Sequence, residues 1–252
     1  MPQRQAVLAD CLWCNGGYKK MTKILSVGGS IIAPDKPDSV FLSEFVTMCK
    51  KWLDSDRQNR LILVAGGGAP ARVYQNGFKE VCEKTGDSFD ANAADWIGIM
   101  ATRINAQLLK ACFGDYCKND VVYNPTVEYL AFDGQVLVAS GWKPGFSTDT
   151  DAVYLGEKFD AKTIVNLSNI EKVYTDDPRK NPDAKPLDTI SWEDFRKMVG
   201  DEWTPGKNCP FDPIASKKAS ELGMKVICAG GKNIPNIQAI LEDKEYFGTT
   251  IG

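Results

Sequence analysis

Five short apolar runs recur along the chain: "KILSV" (23–27), "LILVA" (61–65), "QVLVAS" (135–140), "TIVNLS" (163–168) and "KVICAG" (225–230). Longer stretches with helical spacing separate them. The runs lack the apolar–polar alternation of a sheet with one wet face, and they are too short to be buried helices. Strands that are apolar on both sides need cover on both sides. This pattern predicts an α/β fold in which helices sandwich a mostly parallel central sheet in three layers.

The helical stretches are read at 39–53, 70–84, 91–113, 150–160, 191–199 and 234–243. In the first, Phe41, Phe45, Met48 and Trp52 share one face. A further helix is opened by Asp212 as N-cap, with Pro213 at its first position, and closed by Gly223. "KVICAG" is the last strand expected. The irregular segment 175–187 is too short to link independent domains, so one domain is expected over 21–252, preceded by an extension of residues 1–20.

Composition excludes several chemistries. The chain of 252 residues has a formal charge of −3 and no cluster of Lys and Arg, which argues against nonspecific nucleic-acid binding. No apolar run approaches the roughly 20 residues of a membrane helix, and the first 20 residues lack a signal-peptide core, so a cytoplasmic location is expected. There is no histidine, which removes His-based triads and His-ligated metals. The eight cysteines are scattered, mostly inside apolar segments, as reduced buried thiols would be. Cys11 and Cys14 form one CxxC, but zinc needs four ligands and no second pair exists. The sequon at Asn166 falls in an expected buried strand.

In a parallel sheet, ligands bind beyond the carboxyl ends of the strands. The loops there are "GGS" (28–30), "GGG" (66–68), "GWKPGFSTD" (141–149) and "NIEKVYTDDP" (169–178). Glycine lets a backbone approach a ligand closely and turns successive N–H groups inward, and a following helix adds its positive end. Gly28–Ser30 and Gly66–Gly68 therefore suit two adjacent anion sites, although each could equally be a tight strand-to-helix turn. Arg72, in the first turn of a helix starting near Ala69, opposes that helix's dipole unless an anion sits between them. Its guanidinium can grip a phosphate with two parallel bonds, or pair with Glu80 or Asp87 at the surface. In "STDTD" (147–151) ordinary helix capping accounts for Asp151. Asp149 could cap as well, or orient Mg²⁺ or a donor-binding lysine. No Walker motif is present; "GDEWTPGKN" (200–208) comes nearest and misses the terminal Ser or Thr.

Seven pieces in order extend these loops: "GGSIIAPDKPD", "GGGAPARVY", "DWIGIMATRINAQLL", "GWKPGFSTD", "VYTDDP", "FDPIASK" and "GTTI". With them the chain, from about Met21 to Gly252, resembles the amino acid kinase superfamily, and within it the archaeal-type branch of the UMP kinases. The resemblance implies transfer of the ATP γ-phosphate to UMP with Mg²⁺, an open α/β/α sandwich, and usually a homohexamer. It implies that Gly28, Gly29 and Ser30 cradle the donor phosphates, with Gly67 and Gly68 near the transferring group. Arg72 would bind the UMP phosphate and Asp95 the UMP ribose. Gly141, Ser147 and Thr148 would line the uridine and acceptor phosphate, and Asp149 would organise the transfer. Val173, Tyr174 and Asp177 would contact adenine and its ribose. Lys217 is the candidate for a charge-stabilising lysine, with Lys207 behind it; Lys217 could also be a solvated helix lysine.

The chain departs from that pattern in two places. Glu171 and Lys172 stand where many relatives have Asp and Gly, and no lysine occupies Ser26 or Val27 as in the bacterial branch. Isopentenyl phosphate kinases and the molybdate or tungstate storage proteins share the superfamily, but both rely on histidines that this chain lacks. A catalytically silent nucleotide binder is the other alternative.

Overall fold

The computed structural model describes residues 22–200 and 209–252. The five expected strands form at Thr22–Val27 (β1), Arg60–Ala65 (β2), Val136–Ala139 (β3), Thr163–Ser168 (β4) and Lys225–Gly230 (β6). Two short strands were not anticipated. Thr189–Ile190 is β5 and Thr249–Ile251 is β7, so "KVICAG" is not the last strand. Two or three residues are too few to display a period, and the sheet itself supplies the pairing that makes them strands. The order across the sheet is β3-β2-β1-β4-β6-β7-β5. Of the pairings between these seven strands, β6–β7 is antiparallel and the others are parallel.

The helices are Gly29–Ile32 (α1), Ser39–Ser55 (α2), Gly68–Thr85 (α3), Ala91–Phe113 (α4), Thr148–Lys158 (α5), Trp192–Val199 (α6), Pro213–Glu221 (α7) and Ile234–Leu241 (α8). Period-two burial divides the core into two layers. Leu25, Val27, Leu61, Leu63, Val165 and Leu167 point to a layer completed by α2, α4 and α8. Ile24, Ile62, Val64, Ile164 and Val226 point to one completed by α5, α6 and α7. The sheet is thus covered on both faces, as the uninterrupted apolar runs require.

The strand order turns at β1. From there β2 and β3 follow on one side, and β4 and β6 on the other. Loops leaving β1 and its neighbours diverge at such a switch point and open a crevice at the carboxyl ends of the strands. Three inward positions are register neighbours there: Ser26 pairs with Asn166, and Asn166 with Cys228. All three are buried, including Asn166 of the sequon. They form a polar step at the end of an otherwise apolar layer.

Candidate active site

The two glycine loops touch each other. A Cβ on Gly29 would lie 2.0 Å from the Gly68 nitrogen, and one on Gly66 would lie 2.3 Å from the Gly29 nitrogen. Gly68 has φ +70 and a Cβ there would meet the Gly29 carbonyl oxygen at 2.3 Å. The glycines are thus required first by backbone-to-backbone packing of one loop on the other. Sequence reading offered ligand approach or a tight strand-to-helix turn, and neither includes this contact between the loops. The packing has a chemical result as well. The N–H groups of Gly29, Ser30, Gly67 and Gly68 make no hydrogen bond to another described backbone group outside the helices, and the flanking N–H groups of Gly28, Gly66 and Ala69 are all engaged. Four donors are left at the heads of α1 and α3, where the dipole of the 18-residue α3 adds to them.

The upper loop is braced from α4. Asn105 is buried, and its Nδ2 donates to the carbonyls of Gly66 (2.7 Å) and Gly67 (3.1 Å). Sequence reading missed Asn105 and its neighbour Thr102. The signal was present: Asp95, Thr102 and Asn105 are spaced by seven and three residues, which places polar groups along one face of an apolar helix.

α3 begins at Gly68, so Arg72 lies in its second turn and not the first. Arg72 is exposed and forms no ion pair with a described residue. Neither expected surface partner holds it: Glu80 is taken by Lys84 at 3.9 Å, and Asp87 accepts from Thr85 Oγ1 at 2.7 Å.

α5 starts two residues earlier than expected, because the Ser147 side chain accepts from the Thr150 N–H and caps it. Thr148 and Asp149 therefore open the helix, over the polar step of the sheet. Asp149 Oδ1 accepts from Ser26 Oγ at 3.0 Å, and Oδ2 from the Asp212 N–H at 3.2 Å. Burial first, and the charge of Asp212 second, push the Asp149 carboxyl up to about 6. Asp212 is the N-cap of α7, accepting from the Ala215 N–H at 2.8 Å, and burial raises its carboxyl too. Asp212 therefore caps a helix and also presents its own N–H to Asp149. Asn166 Nδ2 fixes the approach to that cap by donating to the Pro210 carbonyl at 2.7 Å.

Asp151 is not the ordinary capping acid it was expected to be. It is fully buried, its Oδ2 accepts from the Trp142 N–H at 3.2 Å, and burial pushes its carboxyl up to about 8. The loop it reaches, 141–147, is also tied to α4. The Gly141 N–H donates to Thr102 Oγ1 at 2.8 Å, and the Gly145 N–H to Asp95 Oδ2 at 3.0 Å. Asp95 thus supports this loop through one oxygen.

Of the remaining candidates, Val173, Tyr174 and Asp177 lie in the segment after β4, and Lys217 lies on α7. Val173 is buried, its N–H donates to Thr249 Oγ1 and its carbonyl accepts from Leu187, so Tyr174 is the half-buried member of that pair. Asp177 is gripped by Arg179 through Nε and Nη2, both at 3.0 Å, a pairing that lowers the carboxyl. Lys172 turns away to Asp188 and lies over the Phe247 ring at 4.4 Å, so its charge is spent on the sheet edge. Lys217 is exposed on α7 without a described ion pair, and Lys207 lies outside the described residues, as does the Cys11/Cys14 pair.

Set against known proteins, residues 21–230 match the model of the amino acid kinase family. The uridylate kinase of Methanospirillum hungatei is 32% identical over 234 residues, which is 91% of this chain and 94% of that protein. The uridylate kinase of Pyrococcus abyssi is 32% identical over 235 residues, 92% of this chain and 99% of that one. Among solved structures, the uridylate kinase from Archaeoglobus fulgidus superposes with a TM-score of 0.75 at 28% identity, covering 92% of this chain and all of that one (100%). The UMP kinase from Bacillus anthracis shares the fold, with a TM-score of 0.71 at 19% identity, covering 92% of this chain and 96% of that one.

Proposed function

The chain belongs to the amino acid kinase family, and from that footing we propose that it is a UMP kinase, transferring the γ-phosphoryl group of ATP to UMP to give ADP and UDP. The observation that carries the proposal is the pairing of two contacting glycine loops, with four N–H groups unengaged by described backbone, and Arg72, without an ion pair among the described residues, one turn beyond the second loop. Two mutually repelling phosphates must be brought together, and the site has two anion-holding features side by side.

In the transfer, an oxygen of the UMP phosphate attacks the γ-phosphorus while the bond to the ADP oxygen breaks. The attacking group is itself a phosphate, ionised near neutral pH, so no general base is needed and the lack of histidine removes nothing. The task is positioning and charge stabilisation. Gly28, Gly29 and Ser30 hold the donor phosphates, and Gly67 and Gly68 attend the group in flight. Arg72 grips the UMP phosphate, and Asp95, Gly141, Ser147 and Thr148 line its nucleoside and phosphate. Asp149, set between the glycine loops and α7, organises the transfer, with Lys217 as the candidate cation. Tyr174, with Val173 and Asp177, receives the adenosine.

Mg²⁺ neutralises charge on the ATP phosphates when bound. Among the described residues no group of three or more His, Cys, Asp or Glu could hold a metal. Mg²⁺ uses one or two carboxylates together with substrate phosphates; here Asp149 would be the protein's share. The domain proposed is 21–252, with 1–20 an extension outside it, acting in the cytoplasm. Trp96, Met100 and Ile104 form an exposed apolar stripe along α4, and Val73 and Tyr74 of α3, which packs on α4, are exposed as well. It supports association of copies, which for this family means a homohexamer. Nothing in the site favours oxoanion storage or silent nucleotide binding.

A coupled assay with ATP and UMP, CMP or no acceptor tests the activity directly; turnover of ATP that does not depend on UMP overturns it. Arg72→Lys tests the site. Lysine keeps the charge but not the planar fork. UMP affinity should fall about tenfold, about 1.4 kcal/mol, with ATP affinity much less affected, both by calorimetry. An equal loss for both nucleotides removes Arg72 from the acceptor site.

A further inference from the structure

The loop 141–147 leaves β3 tied at three backbone N–H groups, and the ties come from both faces of the sheet. Thr102 and Asp95 of α4 hold Gly141 and Gly145, while Asp151 of α5 holds Trp142. Asp151 is the tie that neither capping nor substrate contact explains. The helix already has its cap in Ser147 and a further first-turn acid in Asp149. Asp151 has no exposed surface, and its Oδ1 has no partner among the described residues. Ser140, the residue just before the loop, is likewise fully buried with its hydroxyl unpartnered. Burying a carboxyl with one oxygen unsatisfied is costly. The single bond it makes to another element, to the Trp142 N–H, is what that arrangement secures.

Trp142 is the point through which the loop is oriented. Its carbonyl accepts from Arg103 Nη2 at 3.4 Å, and its ring packs on Phe146 at 4.9 Å and on Tyr154 of α5 at 6.1 Å. Turning the Trp142 peptide would therefore move Phe146, next to Ser147, as well. We propose that Asp151 is a positioning residue for the acceptor: by holding the Trp142 N–H it sets the direction in which the loop leaves β3, and so fixes the surface offered to the nucleoside monophosphate. The proposal rests on the UMP kinase reading, and it gives Asp151 no contact with substrate.

The test compares the parent with Asp151→Ala and Asp151→Asn in full-length protein. Asparagine keeps an oxygen acceptor of the same reach; alanine removes it. Asp151→Ala should raise KM for UMP about tenfold and leave KM for ATP within about twofold, while Asp151→Asn stays within about threefold of the parent for both. Equal rises in both constants for Asp151→Ala, no rise for UMP, or an asparagine variant as impaired as alanine would each overturn the proposal. If Asp151→Ala does not fold, amide hydrogen exchange in the parent decides. The Trp142 N–H should exchange slowly without any nucleotide, and fast exchange overturns the anchor. Exchange needs no substrate, so it separates failure of this proposal from failure of the parent to phosphorylate UMP.

Discussion

Asp149 and Asp151 are two residues apart in the first turn of α5, and burial raises both carboxyls, but they differ in exposure and in partners. Asp149 is half-buried, accepts two hydrogen bonds and faces the crevice. Asparagine at 149 keeps the shape and removes the charge. Turnover should fall by about 2–4 kcal/mol of transition-state stabilisation, with UMP affinity nearly unchanged, measured by steady-state kinetics beside calorimetry. Near-parental turnover would reduce Asp149 to a helix-opening acid. Asp151 predicts a pH dependence of stability. Its folded pKa, about 8, lies above the ordinary 3.8, with burial the main cause and Asp149 the charged neighbour. The folded state therefore holds a proton that the unfolded state releases. The stability from this group is complete below pH 4 and is lost as pH rises towards 8, by at most about 1.4 kcal/mol per unit. Urea unfolding at several pH values should show this slope in the parent and a flatter one in Asp151→Asn. An identical slope in both would mean that Asp151 is ionised in the fold. Nothing in "STDTD" distinguishes these two acids, because burial is a property of what α5 packs against.

At the scale of elements, the contact between the α1 and α3 heads decides whether the site exists. Gly29→Ala would drive a methyl group into the backbone of Gly66–Gly68, where no flexible side chain can yield. It should destabilise the protein by at least about 1–3 kcal/mol. Gly77, in the middle of α3, has nothing within 4 Å of an added Cβ. Gly77→Ala should stabilise by about 0.5–1 kcal/mol through helix propensity. Opposite shifts of the urea midpoint are expected, and a tolerated Gly29→Ala would show that the two loops are not in contact. The sequence marked both loops as glycine-rich turns between strand and helix. It could not show that they meet, since residues 29 and 66 are brought together only by the β1–β2 pairing.

At the scale of the molecule, the stripe of Trp96, Met100 and Ile104 is 42%, 52% and 70% exposed on a helix whose other face is core. Apolar residues at spacings of four along an exposed helical face are what the proposed association of copies would bury. Ile104→Glu places a charge at its most exposed point. The mass by light scattering should fall to a smaller species than the parent's, while far-UV circular dichroism is retained. An unchanged mass would remove this stripe from the proposed association.

The sequence by itself determined the layers. Apolar runs without alternation need cover on both sides, and that local pattern dictated the parallel sheet, five of its strands, their order along the chain and the loops at their carboxyl ends. It also carried the family likeness, since glycines, Arg72 and Asp149 are read one residue at a time. Only the tertiary structure decided what those residues touch. β5 and β7 are too short to exist without the sheet edge that pairs them. Ser26, Asn166 and Cys228 become one polar step only in register across three strands. Asp212 reaches Asp149 across 63 positions, Asn105 braces a loop 39 residues away, and Asp151 meets the Trp142 N–H of the loop after β3 from α5. Hydrogen bonds and burial depend on distance in space. The sequence records distance along the chain, and the two coincide only within a helix, a turn or a strand.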